Sequence, residues 1–131
     1  MSNVLQKQVQ YVSTGSAPSA AEAQVAYSGR VQVTLPTVRA IIKGWLNASS
    51  ATGTTNWFVR IHRGNGVAGA AIGQASMVTI TAGNSYDIWV EASEQLLNME
   101  FVDYTLTLQA SGGTAATFFQ AAMLEVELIN G

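Results

Sequence analysis

The chain has 131 residues with a formal net charge of −2, and 48% of its residues are hydrophobic while only 11% are charged. This composition fits one domain, and it excludes a disordered charged chain and a protein that binds nucleic acid through a basic surface. The absence of cysteine excludes disulfide scaffolds, cysteine-ligated zinc and thiol catalysis. No apolar run reaches the roughly 18 residues of a membrane-spanning helix, and MSNVLQKQVQ lacks a signal-peptide core. We therefore expect no membrane partner, and synthesis in the cytoplasm without a signal peptide.

Residues 1–24 differ in composition from the rest of the chain. They end in the stretch STGSAPSAAEAQ, whose small and polar residues are typical of an extended arm or linker. Val9, Gln10 and Tyr11 permit a second interpretation, in which they open the first strand of the sheet. We predict an extended N-terminal arm over residues 1–24, which docks on a neighbouring subunit or a larger surface, and a folded domain over residues 25–131.

Apolar and polar residues alternate with a period of two from residue 30 onward, which is typical of half-buried strands. Pro36 ends one run because it cannot donate a ladder hydrogen bond, and Gly64-Asn65-Gly66 provides a turn that needs positive φ. The helical period is weak except in Ala17–Ala26 and Ser93–Phe101, and neither segment is predicted to form a core helix. The predicted strands are Arg30–Leu35, Val38–Leu46, Trp57–Arg63, Met77–Thr81, Tyr86–Ala92, Tyr104–Ala110 and Phe118–Ile129.

The alternation also assigns residues to the two faces of each strand. In the last strand, Leu124, Val126 and Leu128 point inward, whereas Glu125 and Glu127 point outward. Seven or eight such strands, joined by short turns and without a core helix, predict an all-β fold, an antiparallel jelly-roll β-sandwich.

Charge is segregated along the sequence. All six basic residues lie in the first half of the chain, and seven of the eight acidic residues lie in the second half. Opposite charges on neighbouring strands contribute about 0.2–1 kcal/mol per pair, so we predict that basic strands face acidic strands within a protomer or across a subunit boundary. A chance distribution of these few charges is the alternative. The predicted interface salt bridges involve Arg39, Lys43, Arg60, Glu125 and Glu127.

No residue pattern predicts an enzyme. His62 is the only histidine and lies in an alternating strand, so we interpret it as a surface or interface imidazole and not as a catalytic base. The chain has no G-x-S-x-G nucleophile motif, no second histidine for a zinc site and no D-x-D-x-D-G calcium loop. We therefore predict no catalytic residue, no metal site and no cofactor.

Three stretches resemble a known family: TNWFVRIHRGNGVAG, VTITAGNSYDIWVEAS and TAATFFQAAMLEVELI. Their alternation and turns are similar to the trimeric jelly roll of tumour-necrosis-factor-like and C1q-like domains, above all the short versions in phage structural proteins. In that family a glycine turn precedes an alternating strand, matched here from Thr81 to Ala92, and an L-x-V-x-L run closes the domain, matched by Leu124–Leu128. Ser93–Asp103 is longer than the family's loop, which indicates an extra strand pairing or a different jelly-roll topology.

The resemblance implies a homotrimer packed around a threefold axis and a location in the virion. Such modules occur as capsid decoration proteins, head fibres and tail-tip domains. We accordingly predict a non-enzymatic virion structural protein of a bacteriophage, most simply a decoration protein on the capsid surface. Its expected partners are two further copies of itself and the major capsid protein or another virion protein.

The predicted oligomer interface contains aromatic and thioether side chains, namely Trp45, Phe58, Phe118, Phe119 and Met123. The alternative is a carbohydrate- or receptor-binding sandwich of a phage tail or fibre, in which Trp45 and Trp89 stack on pyranose rings. Each of these two tryptophans shares a strand face with charged residues. Interfaces concentrate aromatic residues at the centre and charges at the rim, which favours the interface interpretation.

Overall fold

The computed structural model describes residues 3–12, 22–33, 39–50, 54–75, 78–81, 83–97, 100–111 and 117–130. Across these ranges all regular secondary structure is β-strand, as the alternation predicts. In chain order the strands are β1 (Asn3–Val12), β2 (Ala23–Tyr27), β3 (Val31–Gln32), β4 (Arg39–Ser50), β5 (Thr54–Arg63), β6 (Ala71–Gln74), β7 (Val78–Thr81), β8 (Ser85–Gln95), β9 (Phe101–Val102), β10 (Tyr104–Ser111) and β11 (Thr117–Asn130).

The strand pairs are nested within one another, as in a single long hairpin. β1 pairs with β11, β2 with β10, β3 with β9 and β4 with β8, all antiparallel. β5 pairs with β6 and β7, beside the turn at residues 64–70, so that all these pairs nest around one turn. Gly64 and Gly66 in that turn have φ of 93° and 111°, a conformation that only glycine adopts at low cost.

In the folded domain, this long hairpin is rolled into two sheets. β11 lies between β1 and β4, and β10 lies between β2 and β5. The result is a four-stranded sheet, β1-β11-β4-β8, and a five-stranded sheet, β2-β10-β5-β6 with β7 also on β5. β3 and β9 form a separate pair. An antiparallel hairpin rolled into two sheets is the jelly-roll arrangement, so the predicted fold class is confirmed.

The core lies between the two sheets and consists of alternate residues of each strand. Leu124, Val126 and Leu128 on β11 are buried, while Glu125 and Glu127 face outward as predicted. Burial of one large apolar side chain contributes about 1.5–3 kcal/mol, so these inward rows hold the two sheets together. The largest fully buried side chains include Trp57, Val59 and Ile61 on β5, Tyr104, Leu106 and Leu108 on β10, and Ile42 and Leu46 on β4.

One segment differs from its interpretation as an arm, and another adopts one of the two alternatives predicted for it. Asn3–Val12, predicted within the arm, forms β1 along one edge of the four-stranded sheet, which is the second interpretation given to Val9–Tyr11. Residues 13–21 lie outside the described ranges. In the long segment Ser93–Asp103, β8 continues to Gln95 and β9 pairs with β3, so this segment contains an extra strand pairing.

Candidate functional site

The outward side of the four-stranded sheet, called the outer face from here on, carries a row of large apolar side chains. Met123 on β11, Trp45 on β4 and Trp89 on β8 lie side by side, because Trp45 pairs in register with both of the others. The two indoles, which we call the indole pair, have ring centroids 6.1 Å apart and a tilt of 44°. Trp45 and Met123 are half-buried, whereas Trp89 is 61% exposed. A contiguous apolar row of this kind on the outward side of a sheet is typical of a binding surface.

A polar network lies on one side of the indole pair. The Trp45 Nε1–H donates to Asp87 Oδ1 at 3.2 Å, and Asn47 Nδ2 donates to the same oxygen at 3.1 Å. Ser85 Oγ in turn donates to Asn47 Oδ1 at 3.1 Å. These bonds fix the orientation of the Trp45 indole and place a carboxylate next to it.

A charged row lies on the other side of the indole pair. Lys43 on β4 lies in register between Glu125 on β11 and Glu91 on β8. The Lys7 Nζ on β1 lies 3.6 Å from Glu125 Oε2 and 3.7 Å from Glu127 Oε1. The nested hairpin explains these neighbours, because it sets the basic first half of the chain against the acidic second half.

The structure brings some of the predicted interface residues together and separates others. Trp45 and Met123 share the outer face with Lys43, Glu125 and Glu127. In contrast, Phe58 and Arg60 lie half-buried on the outward side of the five-stranded sheet, where the Arg60 guanidinium lies 5.5 Å from the Phe58 ring centroid.

Three predicted interface residues remain. Arg39 lies at a strand end, and for Phe118 and Phe119 the structure describes the backbone. Arg39 begins β4 and is exposed, opposite Gln95 on β8. The backbones of Phe118 and Phe119 belong to β11, and their side chains lie outside the described part of the chain.

His62 occupies a second polar cluster, on the outward side of the five-stranded sheet. The interpretation of His62 as a surface or interface imidazole is wrong, because its residue is only 5% exposed within the protomer. Its Nε2 lies 2.6 Å from Glu22 Oε2 and its Nδ1 lies 2.8 Å from the Gly69 carbonyl oxygen. Thr107 Oγ1 also donates to Glu22 Oε2, and the Arg60 Nη1 lies 3.5 Å from it. Both imidazole nitrogens thus face acceptors, so neither is placed to take a proton from a hydroxyl nucleophile.

The Glu22 carboxyl has a pKa below its ordinary value of 4.5. Burial alone raises this pKa, but the hydrogen bonds from Thr107 and His62 and the positive charges of His62 and Arg60 outweigh burial. A carboxyl whose pKa is lower in the folded than in the unfolded chain stabilises the fold above its unfolded pKa. That contribution is lost as the pH falls through the lowered value.

The Glu22→Gln variant should therefore be less stable than the parent at about pH 7, and the difference should disappear towards about pH 3. We expect a loss of about 1 kcal/mol at neutral pH, a modest value because this carboxylate keeps some contact with solvent. Urea unfolding at both pH values measures it. Gln24→Ala, an exposed change on β2, serves as the control and should have the same effect at both. An equal loss for Glu22→Gln at both pH values would contradict the linkage.

Three residues of the outer face could not be placed there from the alternation alone. Asp87 and Asn47 are joined by the register of β4 and β8, and Lys7 comes from the segment interpreted as an arm. The register of β4 and β8 was the signal that could have found two of them, because setting Trp45 opposite Trp89 also sets Asn47 opposite Asp87.

In the described ranges, no three His, Asp or Glu side chains lie close enough together to hold a metal ion. No helix long and apolar enough to cross a membrane occurs in the part of the chain that the structure covers.

No protein-family model matches this chain, and no curated protein matches it. Among solved structures, the chain is similar to a protein in the structure of infectious bursal disease virus, Gx strain, with 11% sequence identity and a TM-score of 0.35. The alignment covers 96% of this chain and 41% of that chain, so this chain spans less than half the length of the viral protein. A TM-score of 0.35 does not establish a shared fold or function, and the function of this chain has to be inferred from its own surfaces.

Proposed function

We propose that this chain is a non-enzymatic virion structural protein, a phage capsid decoration protein that assembles as a homotrimer through its outer face. The observation that carries the proposal is the row formed by Met123 and the indole pair, which lies on the outward side of a regular sheet with Trp89 exposed and is bordered by charges. Lys43, Glu125 and Glu127 form that border on one side.

The chemistry of the outer face is that of an interface and not of an ordinary solvated sheet. Tryptophan and methionine are enriched at the centres of protein interfaces, whereas charges are kept at the rim. Truncation of a central tryptophan often costs about 2 kcal/mol or more of binding energy. The overall charge content of 11%, against about 25% in a typical soluble domain, fits a chain that covers part of its surface by assembly.

In this arrangement the outward side of the five-stranded sheet is left for the capsid. Phe58 and Arg60 stand there as an aromatic ring beside a guanidinium, a pair suited to a protein partner. The major capsid protein is the partner that the family resemblance implies.

A second candidate function rests on the same indole pair. Trp89 is exposed, and Asp87 and Asn47 supply hydrogen-bonding groups beside it, which is the combination that a pyranose ring needs for stacking and for hydroxyl recognition. Carbohydrate binding would place the chain in a phage tail or fibre. The two functions compete for one surface, since a subunit on the outer face covers Trp89.

The mass in solution tests the proposal. Light scattering at micromolar concentration should give three times the chain mass of 13.8 kDa. Trp89→Ser should leave the fold intact, because the side chain is largely exposed on an edge strand, and should weaken the trimer at least about tenfold. Phe58→Ser is the matched control, an aromatic deletion on the other sheet, and should leave the mass unchanged.

The other outcomes separate the two functions. A mass of one chain overturns the trimer, and quenching of tryptophan fluorescence by a neutral hexose, lost in Trp89→Ser, would then establish the carbohydrate site. Co-sedimentation with assembled capsids tests the decoration role. A trimer that fails to co-sediment keeps the assembly but overturns the capsid partner.

A further inference from the structure

His62 connects two segments that are separate in sequence and lie on the same side of the five-stranded sheet. One is the residue that leads into β2, held through the Glu22 carboxylate, and the other is the tip of the long hairpin, held through the Gly69 carbonyl oxygen. The imidazole is 5% exposed and sits beneath both. Neither contact contributes to the outer face. Both lie on the side of the five-stranded sheet that the proposed function assigns to the capsid, but they are made within one protomer and do not depend on that assignment.

The two partners of the imidazole fix the protonation state that suits this geometry. A backbone carbonyl and an ionised carboxylate are both acceptors, so each ring nitrogen must carry a proton for both contacts to be hydrogen bonds. Only the imidazolium form satisfies this condition. The neutral ring has one N–H, and its other nitrogen would direct a lone pair at an oxygen atom at hydrogen-bonding distance.

Among the described residues, Glu22 is the one carboxylate that is bonded to the imidazole of His62. Arg60, on the same strand, lies 3.5 Å from the Glu22 carboxylate. On β10, the residues opposite His62 and Arg60 are Thr105 and Thr107, which do not titrate near neutral pH. On β2, the Tyr27 hydroxyl donates to Asp103 at 2.7 Å. On β6, His62 pairs with Ala71. Histidine is the side-chain type whose charge ordinarily changes between mildly acidic and mildly alkaline conditions, so pH is the variable that tests this geometry.

We propose that His62 and Glu22 form a pH-sensitive latch, which holds the entry to β2 and the hairpin tip on the sheet while His62 is protonated and loosens both when it loses its proton. The latch has an acidic limit as well, since protonation of the Glu22 carboxylate removes the charge that faces the ring. It is therefore closed only while the ring is protonated and the Glu22 carboxylate is ionised. Loosening frees the entry to β2.

Amide hydrogen exchange tests the latch without any substitution. After correction for intrinsic exchange, the protection of β2 and of residues 64–70 should fall about tenfold from about pH 5 to about pH 8. β4 and β11, which do not contact the latch, provide the internal reference. Nitrogen-15 shifts of the single histidine report whether both ring nitrogens carry protons when protection is high. A change of less than twofold in wild-type protection overturns the proposal.

Glu22→Gln supplies the discriminating variant. The glutamine amide can donate to a neutral ring nitrogen through Nε2 and accept from a protonated one through Oε1, so the pH dependence of protection should disappear. Glu127→Gln, a carboxylate change on the other sheet, should retain the full wild-type pH dependence. If Glu22→Gln keeps that dependence, the proton that controls β2 lies elsewhere and the latch is wrong.

Discussion

Removal of residues 1–12 should unfold the domain and not merely detach an arm. These residues contribute β1, whose register with β11 extends from Asn3 opposite Asn130 to Val12 opposite Ala122. Loss of this ladder exposes one side of β11, whose inward residues Leu124, Val126 and Leu128 belong to the core. The net stability of a domain is only about 5–15 kcal/mol, and we expect the deletion to remove all of it.

Loss of near-ultraviolet circular dichroism and of a cooperative thermal transition would show this result. Because β11 would become an unprotected edge, the truncated chain should also aggregate. The control is Val9→Thr, which keeps the strand backbone and changes one exposed outward side chain on β1. A truncated chain that folds normally and loses only its assembly would restore the arm interpretation.

The side-chain pattern of β1 shows why its role was not apparent from sequence. In most strands the apolar residues face the core, but in β1 the inward positions Gln8 and Gln10 lie opposite buried Val126 and Leu124. Val9 lies on the outward side and is exposed. The Gln8 amide is accommodated because it donates to the Ser28 carbonyl oxygen, a partner 20 residues away. A period-two pattern therefore identifies the strand only when its distant partners are known.

The faces of the long strands were predictable because each depends on local alternation alone. The inward set of β11 and the shared strand face of Trp45 and Lys43 followed from that rule and are confirmed. The burial of His62 did not follow from it: alternation correctly directs this side chain away from the core, but the cover comes from Glu22 and the hairpin tip. The charge segregation also could not be interpreted from local alternation. It is explained by the nested hairpin, which sets the basic half of the chain against the acidic half.

Gly44 is a position at which the smallest substitution should have a large effect. It lies in the middle of β4 on the inward side, and an added Cβ would lie 2.6 Å from Leu106 Cδ1 and 2.9 Å from Val90 Cγ1. Leu106 belongs to the opposite sheet and is fully buried, so the two sheets approach here because residue 44 has no side chain. We expect Gly44→Ala to destabilise the fold by about 1–3 kcal/mol through overpacking, as measured by denaturant unfolding.

A double-mutant cycle with Leu106→Ala tests the origin of that loss. Leu106→Ala alone should cost about 2–5 kcal/mol, because it leaves a cavity between the sheets. In the double variant the new methyl group occupies part of that cavity, so the combined loss should be smaller than the sum of the two single losses. Additive losses, within about 0.5 kcal/mol, would mean that the two positions do not touch and that the cost of Gly44→Ala arises from Val90 or within β4 itself. A strongly sub-additive result would establish the contact between Gly44 and Leu106 as the point that sets the spacing of the two sheets.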